Sequence, residues 1–239
     1  MASETSVHGE AKTTGSNAVI MGILGYLQER RLQPGDRLPS ERDFAERLGV
    51  GRNAVREALA TLVTLRMVES RPNSGIYLRH IARESSFEAF VMLTGMGATP
   101  SVTEVAETME VRAHLEVLAI GLACQRRTDE DLARLEQVLR DTEEVLARGG
   151  NIAEADTAFH IAVVDAAHNS ILVRVLNAFY ELTAARRQVM FAEQEQGAAS
   201  AKEHRRLLDL IRRQEADKAQ KLILTHMDRA RKYWKTVLE

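Results

Sequence analysis

The sequence predicts a mainly α-helical protein in two parts. Three observations carry this: a stretch whose cations are all arginine, a series of Pro/Gly/Asn turn signals confined to the first third, and unbroken helix periodicity after it. The chain has 239 residues, 45% hydrophobic and 28% charged, enough apolar material for a sizeable core and too much for a disordered chain. No uncharged run approaches the roughly 20 residues a membrane span needs, so no membrane partner is expected. Residues 1–16 are polar, lack an apolar h-region, and read as a disordered lead and not a signal peptide. Cys124 is the single cysteine, which excludes an intramolecular disulfide framework and fits a reducing cytoplasm.

The elements follow in order. Val19, Ile20, Ile23, Leu24 and Leu27 give Asn17 to Arg31 the spacing of an amphipathic helix, ended by the turn Gln33-Pro34-Gly35-Asp36. Ser40 is a good N-cap for a short second helix, with acids behind it at the positive end of the dipole. That helix stops at Leu48-Gly49-Val50, where glycine can take the left-handed conformation. A third helix is predicted from about Arg52 to Met67, burying Val55, Leu59, Leu62 and Val63. Two helices joined by such a turn form a helix-turn-helix. Strand-like runs at 68–71 and 76–78 flank Pro72-Asn73-Ser74-Gly75, a tight hairpin signal, and make it winged. This module is expected over 17–79, a linker over 80–84, and an all-α domain over 85–239. Helices in the latter are predicted at 84–95, 102–127, 129–148, 152–168, 170–192, 198–213 and 215–237.

Charge divides the same way. Between Arg30 and Arg83 stand eleven arginines, no lysine and six acids, a net of +5 in a chain of net −2. The first 29 residues carry −2, so the remainder is −5. A basic front on an acidic body suits a module meant for phosphates, joined to one that is not. Arginine favours forked contacts to phosphate and guanine. A third helix entering the major groove by its N-terminus would place Arg52, Asn53 and Arg56 at the reading end. The plainer alternative for Arg56 is a pair with a nearby acid.

These residues resemble a family. Pro34 to Arg42, Leu48-Gly49-Val50, and Arg52-Asn53-Ala54-Val55-Arg56-Glu57-Ala58-Leu59 are similar to the DNA-binding domain of GntR-type regulators. The resemblance implies a homodimer reading a palindromic operator in double-stranded DNA, with Arg42, Arg52 and Arg56 making phosphate and base contacts. The wing, Asn73 and Gly75, adds contacts; Asn73 stands where the family usually has glycine, and asparagine is the best substitute in a left-handed turn.

In the helical part, polar residues interrupt apolar stripes. Asp156 and His160 lie one turn apart beside Ile152, Phe159 and Val163; His204 lies beside Leu207 and Leu208, and His226 beside Leu222 and Ile223. Burying such groups unpaired costs roughly 2–7 kcal/mol each on transfer scales. A divalent metal would relieve all four, and imidazole with carboxylate suits zinc, nickel or manganese. The plainer alternative, satisfied structural histidines, stays open on spacing alone.

Asp156-Thr157-Ala158-Phe159-His160 ahead of Asn169, with single histidines on the last two long helices, resembles the FCD effector domain of the FadR-type GntR subgroup. The family's ligands then fall on Asp156, His160, His204 and His226, with zinc as the first choice. The segment around Arg112 resembles the one whose arginine faces the pocket, so Arg112 is expected to clamp a small carboxylic acid bound at the metal. Its alternative is a pair with Glu116. Asn169 is a second effector candidate, or simply the cap of the next helix.

The reading is a metabolite-responsive DNA-binding regulator, a repressor and not an enzyme. Two alternatives accompany it: a metal-dependent hydrolase fused to a DNA-binding module, and a regulator whose metal is purely structural. No residue set with the signature of a general base or nucleophile supports the hydrolase.

Overall fold

The computed structural model describes residues 7–238, with side chains from residue 15 onward. The chain separates into two compact units, up to Ala98 and from Thr99.

In the first unit, α1 (Val7–Glu29) starts ten residues before the expected Asn17, within the stretch read as a lead; residues 1–6 lie outside the described residues. Its apolar face, with Ile20 and Ile23 almost fully buried, packs on α3 (Arg52–Thr64). The helix α2 (Glu41–Leu48) opens on a capping box: Ser40 Oγ accepts from the Asp43 amide at 3.3 Å, and the Asp43 carboxylate accepts from the Ser40 amide at 3.2 Å. It closes at Gly49, whose φ of 66° is the left-handed conformation expected there. The core gathers Phe44, Val55, Leu59, Leu62 and Met67.

The wing is a two-stranded antiparallel hairpin, β1 (Val68–Arg71) and β2 (Gly75–Leu78), in register from Val68↔Leu78 to Arg71↔Gly75. The segment read only as a turn also edges it: the Gly35 amide donates to Leu78 O at 2.7 Å and the Leu38 amide to Ile76 O at 2.8 Å. Asn73 takes φ 57°, the left-handed turn expected of it.

The expected linker is not a plain one. It contains the short helix α4 (Ile81–Glu84), and α5 (Phe87–Gly95) folds with the first unit, burying Ala89 on the winged module's core with Met92, Leu93 and Met96 beside it. The sequence boundary at 84/85 therefore moves to Ala98/Thr99. A short apolar helix shows which face it buries, but not which core receives it.

The second unit is all helix: α6 (Val102–Arg126), α7 (Asp129–Ala147), α8 (Ala153–Asp165), α9 (Ser170–Leu182), α10 (Ala184–Met190), α11 (Gln194–Arg212) and α12 (Ala216–Leu238). Capping boxes at Ser101 and Thr128 start α6 and α7. The core centres on Ile120, Leu135, Phe159, Leu207, Leu208 and Ile211. The helix predicted over 170–192 is in fact two. At Thr183 the hydroxyl donates back to Phe179 O at 2.8 Å, and α10 starts afresh behind it. The break turns Arg186 and Arg187 of α10 into a cleft shared with Arg112, Asp156, His160 and His226.

Candidate metal centre and nucleic-acid interface

Asp156 and His160 project from one face of α8, His204 from α11 and His226 from α12, and all four are buried. One ligand atom from each lies within 4.8 Å of the other three. His160 Nε2 is 4.0 Å from Asp156 Oδ2, and His204 Nε2 is 3.6 Å from Asp156 Oδ1. Phe159 stacks on the His204 ring at 4.0 Å between centroids and fixes its plane.

Behind these ligands stands a ring of partners. Glu116 Oε2 is 3.2 Å from His160 Nδ1, Glu203 Oε2 is 2.7 Å from His226 Nδ1, and Ser200 Oγ donates to Asp156 Oδ1 at 2.9 Å. A carboxylate on Nδ1 sets the tautomer that leaves Nε2 with a lone pair facing inward. His160 Nε2 is buried without a hydrogen-bond partner. Burial holds His204 well below the usual histidine range, and lowers His226 too against the pull of Glu203. Two imidazoles kept from protonation by burial, a carboxylate and the orphaned inward nitrogen of His160 are a donor set suited to a divalent ion. The residues fit a metal.

Arg112 has both of its expected neighbourhoods. Its Nε and Nη2 pair with Glu116 Oε1 at 3.2 and 3.1 Å, and the residue still lines the cleft beside Asp156 and His160. Burial by itself would raise the Glu116 pKa, but His160, Arg112 and the Tyr180 hydroxyl outweigh it and bring the carboxyl down to about 2. Asn169 takes the capping role of its two: its Oδ1 caps α9 by accepting from the Ile171 and Leu172 amides at 3.2 and 3.1 Å. The capping alternative holds because an Asn ahead of a helix meets two orphan amides at once.

In the first unit, Arg52, Asn53 and Arg56 lie exposed at the start of α3, with Arg42 exposed on α2. Arg52 makes no ion pair among the described residues. Arg56 is held by Glu41, Nε at 3.1 and 3.2 Å from its two oxygens and Nη2 at 2.9 Å, the pairing its alternative anticipated. Arg42 has only distant acids, Asp43 at 3.8 Å and Glu46 at 3.9 Å. Asn73 is exposed at the hairpin tip.

Comparison with known proteins agrees with both halves. Residues 17–78 match the family of bacterial regulatory proteins, gntR family, and residues 107–229 match the FCD domain. The chain is 29% identical over 206 residues to the HTH-type transcriptional regulator LutR of Bacillus subtilis, covering 84% of this chain and 92% of that one. It is also 29% identical over 219 residues to a putative L-lactate dehydrogenase operon regulatory protein of Escherichia coli, covering 89% and 83%. A solved structure of Listeria monocytogenes Lar superposes with a TM-score of 0.65 at 19% identity, covering all of both chains, and supports the fold.

The chain belongs to the GntR family, with an FCD domain. It is a DNA-binding transcription regulator and not an enzyme. No helix among the described residues is long and apolar enough to cross a membrane. In this GntR regulator the four expected metal ligands converge, Arg112 lies beside them, and the reading-end residues of α3 are exposed. Sequence reasoning missed the outer carboxylate Glu203 and the α10 pair Arg186 and Arg187. Glu203 precedes His204 in the chain but serves His226 on another helix, a pairing no periodicity announces. The dipeptide Arg186-Arg187 was visible, yet it was placed inside one long helix and so given no reason to face inward.

Proposed function

We propose that this GntR regulator is a cytoplasmic repressor that binds a palindromic operator as a homodimer and responds to a small carboxylic acid held at a divalent metal. Arg52, Asn53 and Arg56 read the major groove, Arg42 holds phosphate, and the wing residues Asn73 and Gly75 follow the adjacent backbone. Asp156, His160, His204 and His226 hold the metal, zinc first, with nickel or manganese as alternatives that ligand type does not separate. Bound there, the ion supplies a Lewis-acidic anchor for the carboxylate of the effector. Arg112 steadies that carboxylate from the side of the cleft.

The observation that carries this reading is the convergence of four buried ligand atoms within 4.8 Å, three of them from residues (Asp156, His160 and His226) that line a cleft with Arg112. The relative named for an L-lactate dehydrogenase operon is in keeping with an effector of 2-hydroxy acid type. The effector acts only if it binds one conformation better than the other. The test is an operator selected from random DNA, titrated with metal-loaded protein in the presence of a panel of small acids. The expected result is operator release by at least one acid, abolished in Asp156→Ala. Operator affinity unmoved by the whole panel would sink the sensing half of the reading.

A further inference from the structure

The cleft beside the metal ligands is charged beyond what one carboxylate would answer. Four arginines line it: Arg112, Arg186, Arg187 and Arg229. Arg112 is paired with Glu116 at 3.1 Å and Arg229 with Glu203 at 3.0 Å. The two on α10 have no carboxylate partner among the described residues. Arg187 donates Nη2 to Tyr180 O at 2.7 Å and Nη1 to the Thr183 hydroxyl, both neutral acceptors, and its Nε is buried without a partner. Arg186 has Nε and Nη2 both shut off from solvent and unpartnered. Burial and the neighbouring Arg112 lower both guanidinium pKa values, Arg187 to about 10.

Unpaired guanidinium nitrogens at a cleft wall are costly, and a planar fork of donors is the usual receptor for a carboxylate or phosphate. Counting the lining Asp156 with the outer Glu116 and Glu203, the four arginines face three carboxylates, an excess of one positive charge. A divalent ion would raise that excess to three. The enclosed space is small, about 30 Å³, and opens outward, with Met190, Phe191 and Trp234 giving it an apolar side. These dimensions leave no room for a long acyl chain, so any occupant is compact and reaches the cleft by way of its mouth.

We infer that the effector carries two acid groups, one at the metal and Arg112 and the other on the unpaired guanidinium of Arg186, seconded by Arg187. A short 2-hydroxy dicarboxylate is the ligand class. This rests on the proposed carboxylate site and adds to it a second anionic pole.

The test is isothermal titration of the zinc-loaded full chain with matched pairs: L-malate and 2-hydroxyglutarate against L-lactate and 2-hydroxybutyrate. One charge-assisted contact more predicts tighter diacid binding by about 10- to 100-fold. Arg186→Gln is expected to remove that advantage while leaving the monoacids unchanged, and Arg186→Lys to keep part of it. Because Arg186 makes no hydrogen bond through Nε or Nη2, neither variant removes a structural contact there. Equal affinity for diacids and monoacids, or a diacid advantage untouched in Arg186→Gln, overturns the second pole and leaves the carboxylate site standing. No heat from any of the four acids overturns both.

Discussion

Glu116 Oε2 stands 3.2 Å from His160 Nδ1 while its other oxygen accepts from Arg112, so one buried carboxylate on α6 joins a candidate metal ligand to the arginine of the cleft. Outer partners of this kind orient the ligand ring and typically contribute 10- to 100-fold to metal affinity. Glu116→Ala is accordingly expected to weaken zinc binding by about that factor. Glu116→Gln, which keeps an acceptor for the His160 N–H, should lose less. Competition against a chromogenic chelator measures both, and identical zinc affinity in the alanine variant and the parent would remove Glu116 from the site.

Arg52 and Arg42 should fail differently on DNA. Arg52 is exposed at the start of α3 and makes no ion pair among the described residues, ready for a base edge. Arg52→Ala should cost about 1–3 kcal/mol of operator affinity and relax preference at one base pair. Arg42 sits on α2 with only distant acids, a phosphate contact in this reading. Arg42→Ala should weaken all sequences alike and reduce the salt slope of binding by about 1. Footprints and salt titrations on a selected operator separate the two. Arg42→Ala altering base preference without altering the slope would reverse the roles.

The wing offers a stability contrast between two neighbouring positions. Gly75 has φ 120°, and a Cβ there would lie 2.9 Å from Arg37 Nε. Gly75→Ala should therefore destabilise the first unit by about 1–3 kcal/mol through backbone strain. Asn73, at φ 57°, already occupies the left-handed region, so Asn73→Gly should shift the melting temperature little. Thermal denaturation of both variants decides it; equal melting points for Gly75→Ala and the parent would show that the turn relaxes at no cost.

Helical periodicity marked Asp156, His160, His204 and His226 as polar breaks in apolar stripes, and the resemblance to the FCD domain made them candidate metal ligands. The winged module was legible for a related reason: its turns at Gly49 and Asn73 need residues that tolerate positive φ, and those residues are local. What escaped was everything decided through space. The helix ends and restarts at Thr183 inside a long apolar pattern that propensity alone would carry through. The same break places Arg186 and Arg187 in the cleft. Likewise α5 has an apolar surface suited to either unit, and only packing assigns it to the first.

Metal removal should expose the cost of the buried ligand set. Asp156, His160, His204 and His226 are all at most 4% exposed, and His160 Nε2 has no protein partner to replace an ion. A ligand bound only by the folded state stabilises it by about 2.7 kcal/mol at 100 times its dissociation constant. Chelator-treated protein should thus melt lower, and zinc should restore it. The apo form should also be acid-sensitive in its own right. His204 and His226 are held below the ordinary 6.5 in the folded state by burial, so between 6.5 and their lowered values the unfolded chain takes up more protons than the folded one. Stability is then complete above pH 6.5 and is lost as pH falls below it. Urea unfolding of the apo protein at pH 7.5 and 5.5 is expected to show a lower midpoint at the acid value, reduced further by zinc release in the loaded protein, since metal binding requires unprotonated imidazoles. A loaded protein whose midpoint equals that of the apo protein at pH 7.5 would mean that Asp156 and the three histidines hold no ion.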